Sequence, residues 1–144
     1  MTRTEFLALL DRLAAGWAAG DAQAVAGEFA EQVRYGDPTR YRFGSRSALV
    51  PFFEPPPQGH SVIWHRRLFD EAAQSGVAEY PYEGHRRYHG AALIAIDADG
   101  RIADWREWQH VTELAWDRFV AGPLEASGGQ ALSPGHRSPQ PRSG

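Results

Sequence analysis

The 144 residues predict an α+β fold, and two observations carry that reading. The first third of the chain repeats apolar side chains at three- and four-residue spacing, the period of a helix face. From residue 61 the pattern changes to branched and aromatic runs broken by turn signals, the mark of successive strands. Helices followed by a run of strands indicate helices packed on one face of an antiparallel sheet.

Each element follows from its residues. Residues 2–19 place Phe6, Leu9, Leu10, Leu13 and Trp17 on one helical face, with Thr2 or Thr4 to cap the start and Gly20 to end it. Asp21 caps a second helix, on which Val25 and Phe29 stand four apart. Residues 31–37 read as a short strand and residues 38–44 as a polar loop. A third helix is expected over 46–53, capped by Ser45 or Ser47 and shortened or kinked by Pro51. Residues 54–59 are Pro-rich and read as a stiff, extended linker. Strands are expected over 61–70, 77–83, 86–97 and 101–111, with Asp97-Ala98-Asp99-Gly100 as the strongest turn signal. Residues 113–120 suit a helical turn or a continuation of the last strand. Residues 1–122 are expected to form one domain. Residues 123–144 are rich in Gly, Ser, Pro, Gln and Arg and read as a disordered tail, because they cannot bury enough apolar surface to offset their ordering entropy.

Composition narrows the class of function. A net charge of −3 gives no nucleic-acid footprint. The absence of cysteine removes a disulfide framework and a thiolate zinc site, and it permits a reducing compartment, so a cytoplasmic location is expected. Charged residues interrupt the N-terminal apolar positions, unlike a signal peptide, and no apolar run approaches the ~20 residues of a membrane span. Five Trp, five Tyr and seven Phe supply area for a core, an apolar pocket or a dimer face.

The chemistry concentrates around Val33-Arg34-Tyr35-Gly36-Asp37-Pro38. Tyr35 and Asp37 share a face of a strand. An Asp before Pro at a strand end is either a turn-former or a general base. Glu107 is either a cavity carboxylate or a surface residue paired with Arg106 or Arg101. Strand alternation leaves this open, because Trp105 and Trp108 lie on opposite faces. Tyr80 and Tyr82 share one face of their strand and Glu79 takes the other. Gly90 and Ala92, on the face of Tyr88, would leave room for a ligand. His85 and His89 lie on the same side of a strand but about 13 Å apart, too far to share one ion. No P-loop, GxGxxG or GxSxG pattern occurs.

The order of elements resembles the nuclear transport factor 2-like superfamily, in particular its SnoaL-like bacterial branch, over residues 4–120. The resemblance rests on Gly20-Asp21, Tyr35-Gly36-Asp37-Pro38, Gly44-Ser45-Arg46-Ser47-Ala48-Leu49, and the stretch 99–108 that ends in Trp105-Arg106-Glu107-Trp108. It implies a cone-shaped roll, a cystatin-like α+β barrel with three helices in a curved antiparallel sheet and a pocket at the open end. Ketosteroid isomerase places its base where Asp37-Pro38 stands, but its oxyanion-hole Tyr and Asp fall near Leu13 and Ala92 here. Limonene epoxide hydrolase has patterns similar to Tyr35-Gly36-Asp37 and Trp105-Arg106-Glu107-Trp108, while its Arg-x-Asp is not reproduced near Ala78-Glu79-Tyr80. The family register turns Trp105, Glu107 and Gln109 inward. It turns the tyrosines of residues 77–83 inward too, or Glu79 if the strand slips by one.

The resemblance and the residues together suggest an acid–base enzyme without cofactor or metal: a lyase, isomerase, cyclase or hydrolase acting on a small, mostly apolar molecule. Asp37 would be the base or water-activator, Glu107 its acid partner and Tyr35 a donor. Trp17, His65, Glu79, Tyr80, Tyr88 and Trp105 complete the expected substrate-binding set. Desolvation in a shared apolar pocket would raise at least one of the two carboxylates. A non-catalytic ligand- or partner-binding module of the same fold is the alternative. A homodimer is expected, without nucleic-acid or membrane partners.

Overall fold

The computed structural model describes residues 1–55 and 59–121; the tail expected over 123–144 lies outside the described residues. Helix α1 (Arg3–Ala19) starts at a capping box, in which Thr2 accepts the backbone N–H of Glu5 and the Glu5 carboxylate accepts the N–H of Thr2. It ends at Gly20, whose left-handed φ of 69° suits a residue without a Cβ. Phe6, Leu9, Leu10 and Leu13 are fully buried along one face. Each contributes about 1.5–3 kcal/mol on transfer from water. Helix α2 (Ala22–Gly27) is capped by Asp21, which accepts the backbone N–H of Ala24 at 2.9 Å.

Among the described residues seven strands follow: β1 (Phe29–Asp37), β2 (Tyr41–Ser45), β3 (Ser61–Val62), β4 (Arg67–Asp70), β5 (Ser75–Glu83), β6 (Arg87–Ile96) and β7 (Ile102–Val111). Helix α3 (Arg46–Phe53) stands between β2 and β3, and a short α4 (Trp116–Val120) follows β7. The sheet runs β2-β1-β7-β6-β5-β3, with β4 paired to the same strand, β5, that carries β3. All pairs are antiparallel except β1 with β7. The chain is therefore an α+β roll with α1 and α3 set against the concave face of a curled sheet and the short α4 against its outer face.

Four expectations change. The loop expected over 38–44 is largely β2: Pro38-Thr39-Arg40 alone turns the chain, and Tyr41 and Phe43 alternate as in a strand. The strand expected over 61–70 is broken into β3 and β4. Between them Trp64 leaves the ladder, and its indole N–H donates to the Leu10 carbonyl at 2.6 Å. The first strand starts earlier, at Phe29, and pairs in parallel with β7. Ser45 sits at the N-cap of α3 without a capping bond; its hydroxyl lies 3.1 Å from that of Ser47. Pro51 lies inside α3, which ends two residues later at Phe53. Among the linker residues, 56–58 are outside the described set.

The core lies between α1 and the concave face of the sheet. Trp17, Phe29, Tyr35, Phe53, Trp64 and Trp105 form its aromatic part, with Tyr35 stacked on Trp105 at 5.9 Å between ring centroids. These rings close the inner end of the cone and leave a cavity at the other.

Candidate active site

A cavity of about 320 Å³ opens between the concave sheet face, α1 and α3. Trp17, Trp64, Trp105, Phe52 and Phe53 make most of its wall apolar. Glu107 projects into it from β7 and is 2% exposed. It faces inward because alternation on β7 buries Trp105 and Glu107 while Arg106 and Trp108 face out.

Four donors converge on this carboxylate. The phenols of Tyr35 and Tyr41 donate to Oε1, the former at 3.0 Å. The Tyr80 phenol donates to Oε2, which also accepts the Gln109 amide N–H at 3.2 Å. A carboxylate offers about four acceptor positions, so the set is complete. The donors come from β1, β2, β5 and β7 and gather because the sheet curls. Burial beside the negative charge of Glu107 pushes the phenols of Tyr35, Tyr41 and Tyr80 well above their ordinary range.

Arg40 forms a second polar pole. It lines the same cavity, and its Nη2 donates to Asp37 Oδ2 and to Gln109 Oε1, each at 2.8 Å. Its guanidinium lies 5.5 Å from the ring centroid of Tyr41 and 5.4 Å from that of Tyr88. At the mouth, His60 Nδ1 lies 3.3 Å from the Tyr82 hydroxyl, and burial lowers the His60 imidazole below its usual range.

Asp37 does not line the cavity, contrary to its expected role as the base. It builds the turn after β1. Its Oδ1 accepts the backbone N–H groups of Thr39 and Arg40 at 2.9 and 3.1 Å and the Thr39 hydroxyl at 2.9 Å. The Arg40 guanidinium, aided by the Thr39 donors, holds its carboxyl well below the usual carboxylate range, the reverse of the desolvation shift anticipated for a shared pocket. Of the two readings of Asp-Pro, the turn is the one found.

The expected substrate-binding residues divide. Trp17, Tyr80, Tyr88 and Trp105 line the cavity, as does Tyr35. His65 and Glu79 do not. His65 is on the outer side of the sheet, stacked 4.2 Å from Trp116 of α4. Glu79 alternates with Tyr80, which takes the inner face, and it sits 3.9 Å from Arg66. The room expected beside Gly90 is filled by the Tyr80 ring. Tyr41 and Arg40 are the additions. Their signal was available in the Tyr41/Phe43 alternation after Asp-Pro-Thr, which marks a hairpin rather than a loop.

No protein-family model matches the sequence, and no curated protein matches it. Solved structures do. A protein of unknown function with a cystatin-like fold from Methylobium petroleophilum PM1 aligns with a TM-score of 0.70 at 16% identity, over 97% of this chain and 99% of its own. An M. tuberculosis LEH-like epoxide hydrolase aligns with a TM-score of 0.62 at 16% identity, over 74% of this chain and 84% of its own. The epoxide hydrolase/cyclase-like enzyme SalBIII, from pyran ring formation in the polyether salinomycin, aligns with a TM-score of 0.63 at 12% identity, over 72% and 89%. With the curled sheet and helices described above, these likenesses show that the chain has the cystatin-like fold, the fold that the resemblance to the nuclear transport factor 2-like superfamily implied.

Proposed function

We propose that the cavity is an acid–base catalytic site for a small, mostly apolar molecule, and that Glu107 is its proton-exchanging group. The observation that carries this is a carboxylate 2% exposed in an aromatic cavity, held by three phenols and one amide. Burying a charged group in such a wall is unfavourable, and an apolar residue of similar volume would serve packing as well or better. A group kept there against that cost is a candidate for chemistry.

The division of roles follows from position. Tyr35 and Tyr80 are buried and hold Glu107 in place. Tyr41 is half-buried on the edge strand β2, and its hydrogen bond to Oε1 is the most accessible of the three phenol contacts. A ligand that displaces this one hydrogen bond, the Tyr41 ring staying in place, uncovers a lone pair of Oε1, which then accepts a proton from the substrate or from a water attacking it. Isomerase, lyase, cyclase and hydrolase reactions share this proton step, and two of the similar structures are described as epoxide hydrolase or hydrolase/cyclase-like.

A second reading, a non-catalytic ligand-binding pocket, draws on the same site: with all four acceptor positions of Glu107 filled, the carboxylate also serves as a fixed polar floor. A panel of small apolar epoxides and enolisable ketones in D₂O separates the two. The enzyme reading expects hydration or deuterium incorporation with at least one class, lost by roughly 10²–10⁴-fold in Glu107→Gln. Binding without any conversion supports the second reading.

A further inference from the structure

We infer that Arg40 is the residue that takes the substrate's oxygen, and that the substrate is a neutral carbonyl compound with an apolar body rather than an acid. This rests on the reading of the cavity as a small-molecule site.

The first argument is fixation. An arginine on a surface turn is ordinarily mobile, but Arg40 is held from three directions: by the ion pair with Asp37, by Gln109, and between the rings of Tyr41 and Tyr88. Asp37 in turn is locked by the Thr39 donors. A guanidinium carries five N–H donors. The contacts with Asp37 and Gln109 both use Nη2, and among the described residues Nε and Nη1 have no hydrogen-bond partner. The side chain is 36% exposed and lines the cavity, so single N–H donors of Nε and Nη1 remain open to a ligand oxygen, while both bidentate edges, which include Nη2, are engaged.

The second argument is spacing. The Gln109 amide bridges the two poles: its oxygen accepts from Arg40 and its N–H donates to Glu107. Arg40 and Glu107 therefore stand at most about 8 Å apart, two hydrogen bonds and one O–C–N unit in series. The O–C–C unit of a carbonyl compound has about the length of that O–C–N unit, so with one contact at each end it bridges the same gap. A substrate lying beside Gln109 can direct its carbonyl oxygen at Arg40 and its adjacent, proton-bearing atom at Glu107.

The third argument is charge. Asp37 and Arg40 offset each other, and the carboxylates of Glu107 and Glu54, both in the cavity lining, leave the site net negative. An anionic substrate would enter against that charge in a wall of low dielectric. A neutral carbonyl accepts from the guanidinium without this repulsion, and its oxygen gains stabilisation there as charge develops.

The test is binding, read from the fluorescence of the cavity tryptophans Trp17, Trp64 and Trp105. The probes are benzylacetone, butylbenzene and hydrocinnamate, which share a phenyl group on a short chain and differ in the end group. The expected order is benzylacetone tightest, by about tenfold over butylbenzene, the size of one charge-assisted hydrogen bond. Arg40→Gln should abolish that preference while butylbenzene affinity stays, which also shows that the cavity is intact. If Arg40→Gln binds neither, Arg40→Lys keeps the charge opposite Asp37, but one ammonium cannot hold Asp37 and Gln109 as the guanidinium does and still offer a fixed donor to the ligand, so this variant should lose most of the preference. Equal binding of ketone and hydrocarbon, a preference that survives both variants, or no binding by any probe overturns the proposal. Tightest binding of hydrocinnamate overturns the substrate class. Because none of these readings needs turnover, failure of Glu107 as a catalytic group would leave the result for Arg40 standing.

Discussion

The ring of Tyr80 lies over Gly90 on the neighbouring strand. The two are register partners on β5 and β6, and a Cβ built at Gly90 would come within 2.8 Å of Tyr80 Cζ. This close approach lets the phenol cross β6 and reach Glu107 on β7. A methyl group there would be felt by the ring, not by a ligand.

Gly90→Ala is therefore expected to push the Tyr80 ring off Glu107 and to destabilise the protein by about 1–3 kcal/mol through overpacking. Tyr80→Phe, which keeps the ring and removes one donor from a buried carboxylate, is expected to cost about 1–3 kcal/mol. Urea unfolding of the two variants and of the double variant checks this. Their effects should fall short of additive, because both break the same hydrogen bond.

How much of this was legible in the sequence depends on the range of the interaction. Helix α1 was legible because Phe6, Leu9, Leu10, Leu13 and Trp17 repeat with the helical period and Thr2 or Thr4 could cap its start; the structure chooses Thr2. The inward face of Glu107 was not legible from alternation, because the flanking Trp105 and Trp108 point opposite ways; the resemblance to a known fold supplied its register. Asp37 misled because Asp-Pro is both a turn signal and a plausible base, and only the positions of Thr39 and Arg40 separate the two. Tyr41 was hidden in a stretch whose Pro, Thr, Arg and Gly suggest a loop. The parallel pairing of β1 with β7 joins residues about seventy positions apart, beyond any local pattern.

The phenols respond to alkali. The raised folded values of Tyr35, Tyr41 and Tyr80 mean that, above the unfolded value of about 10, the native state binds more protons than the unfolded chain. Stability is thus retained below pH ~10 and falls as pH rises beyond it. Absorbance titration should show fewer phenolates in the native protein than the five of the unfolded chain. Five native phenolates titrating together near 10 would contradict the cluster.

Asp37 responds to acid with the opposite sign. Its folded value is depressed, so its contribution to stability is present above the unfolded value of about 3.9 and is lost as pH falls towards the folded one. Asp37→Asn should flatten the acid limb of the stability profile and reduce stability at neutral pH by about 1–3 kcal/mol, the range for charge-assisted hydrogen bonds. Thermal unfolding across that pH range is the measurement.

The outer face of the sheet bears on association. Leu68 and Trp108 project from it and are 57% and 53% exposed. We propose that this face pairs in a homodimer. Light scattering is expected to give twice the 16.0 kDa chain mass. Trp108→Glu should shift it to the monomer mass, and a wild-type monomer at all concentrations would contradict the proposal.

The central claim, that chemistry resides at Glu107 and not at Asp37, is tested most directly by steady-state turnover of the responsive epoxide or ketone in two variants side by side. Glu107→Gln is expected to lower kcat by about 10²-fold or more. Asp37→Asn, which acts only through the placement of Arg40, is expected to raise KM and to lower kcat by no more than about tenfold. Loss of kcat in Asp37→Asn with turnover retained in Glu107→Gln would contradict the account.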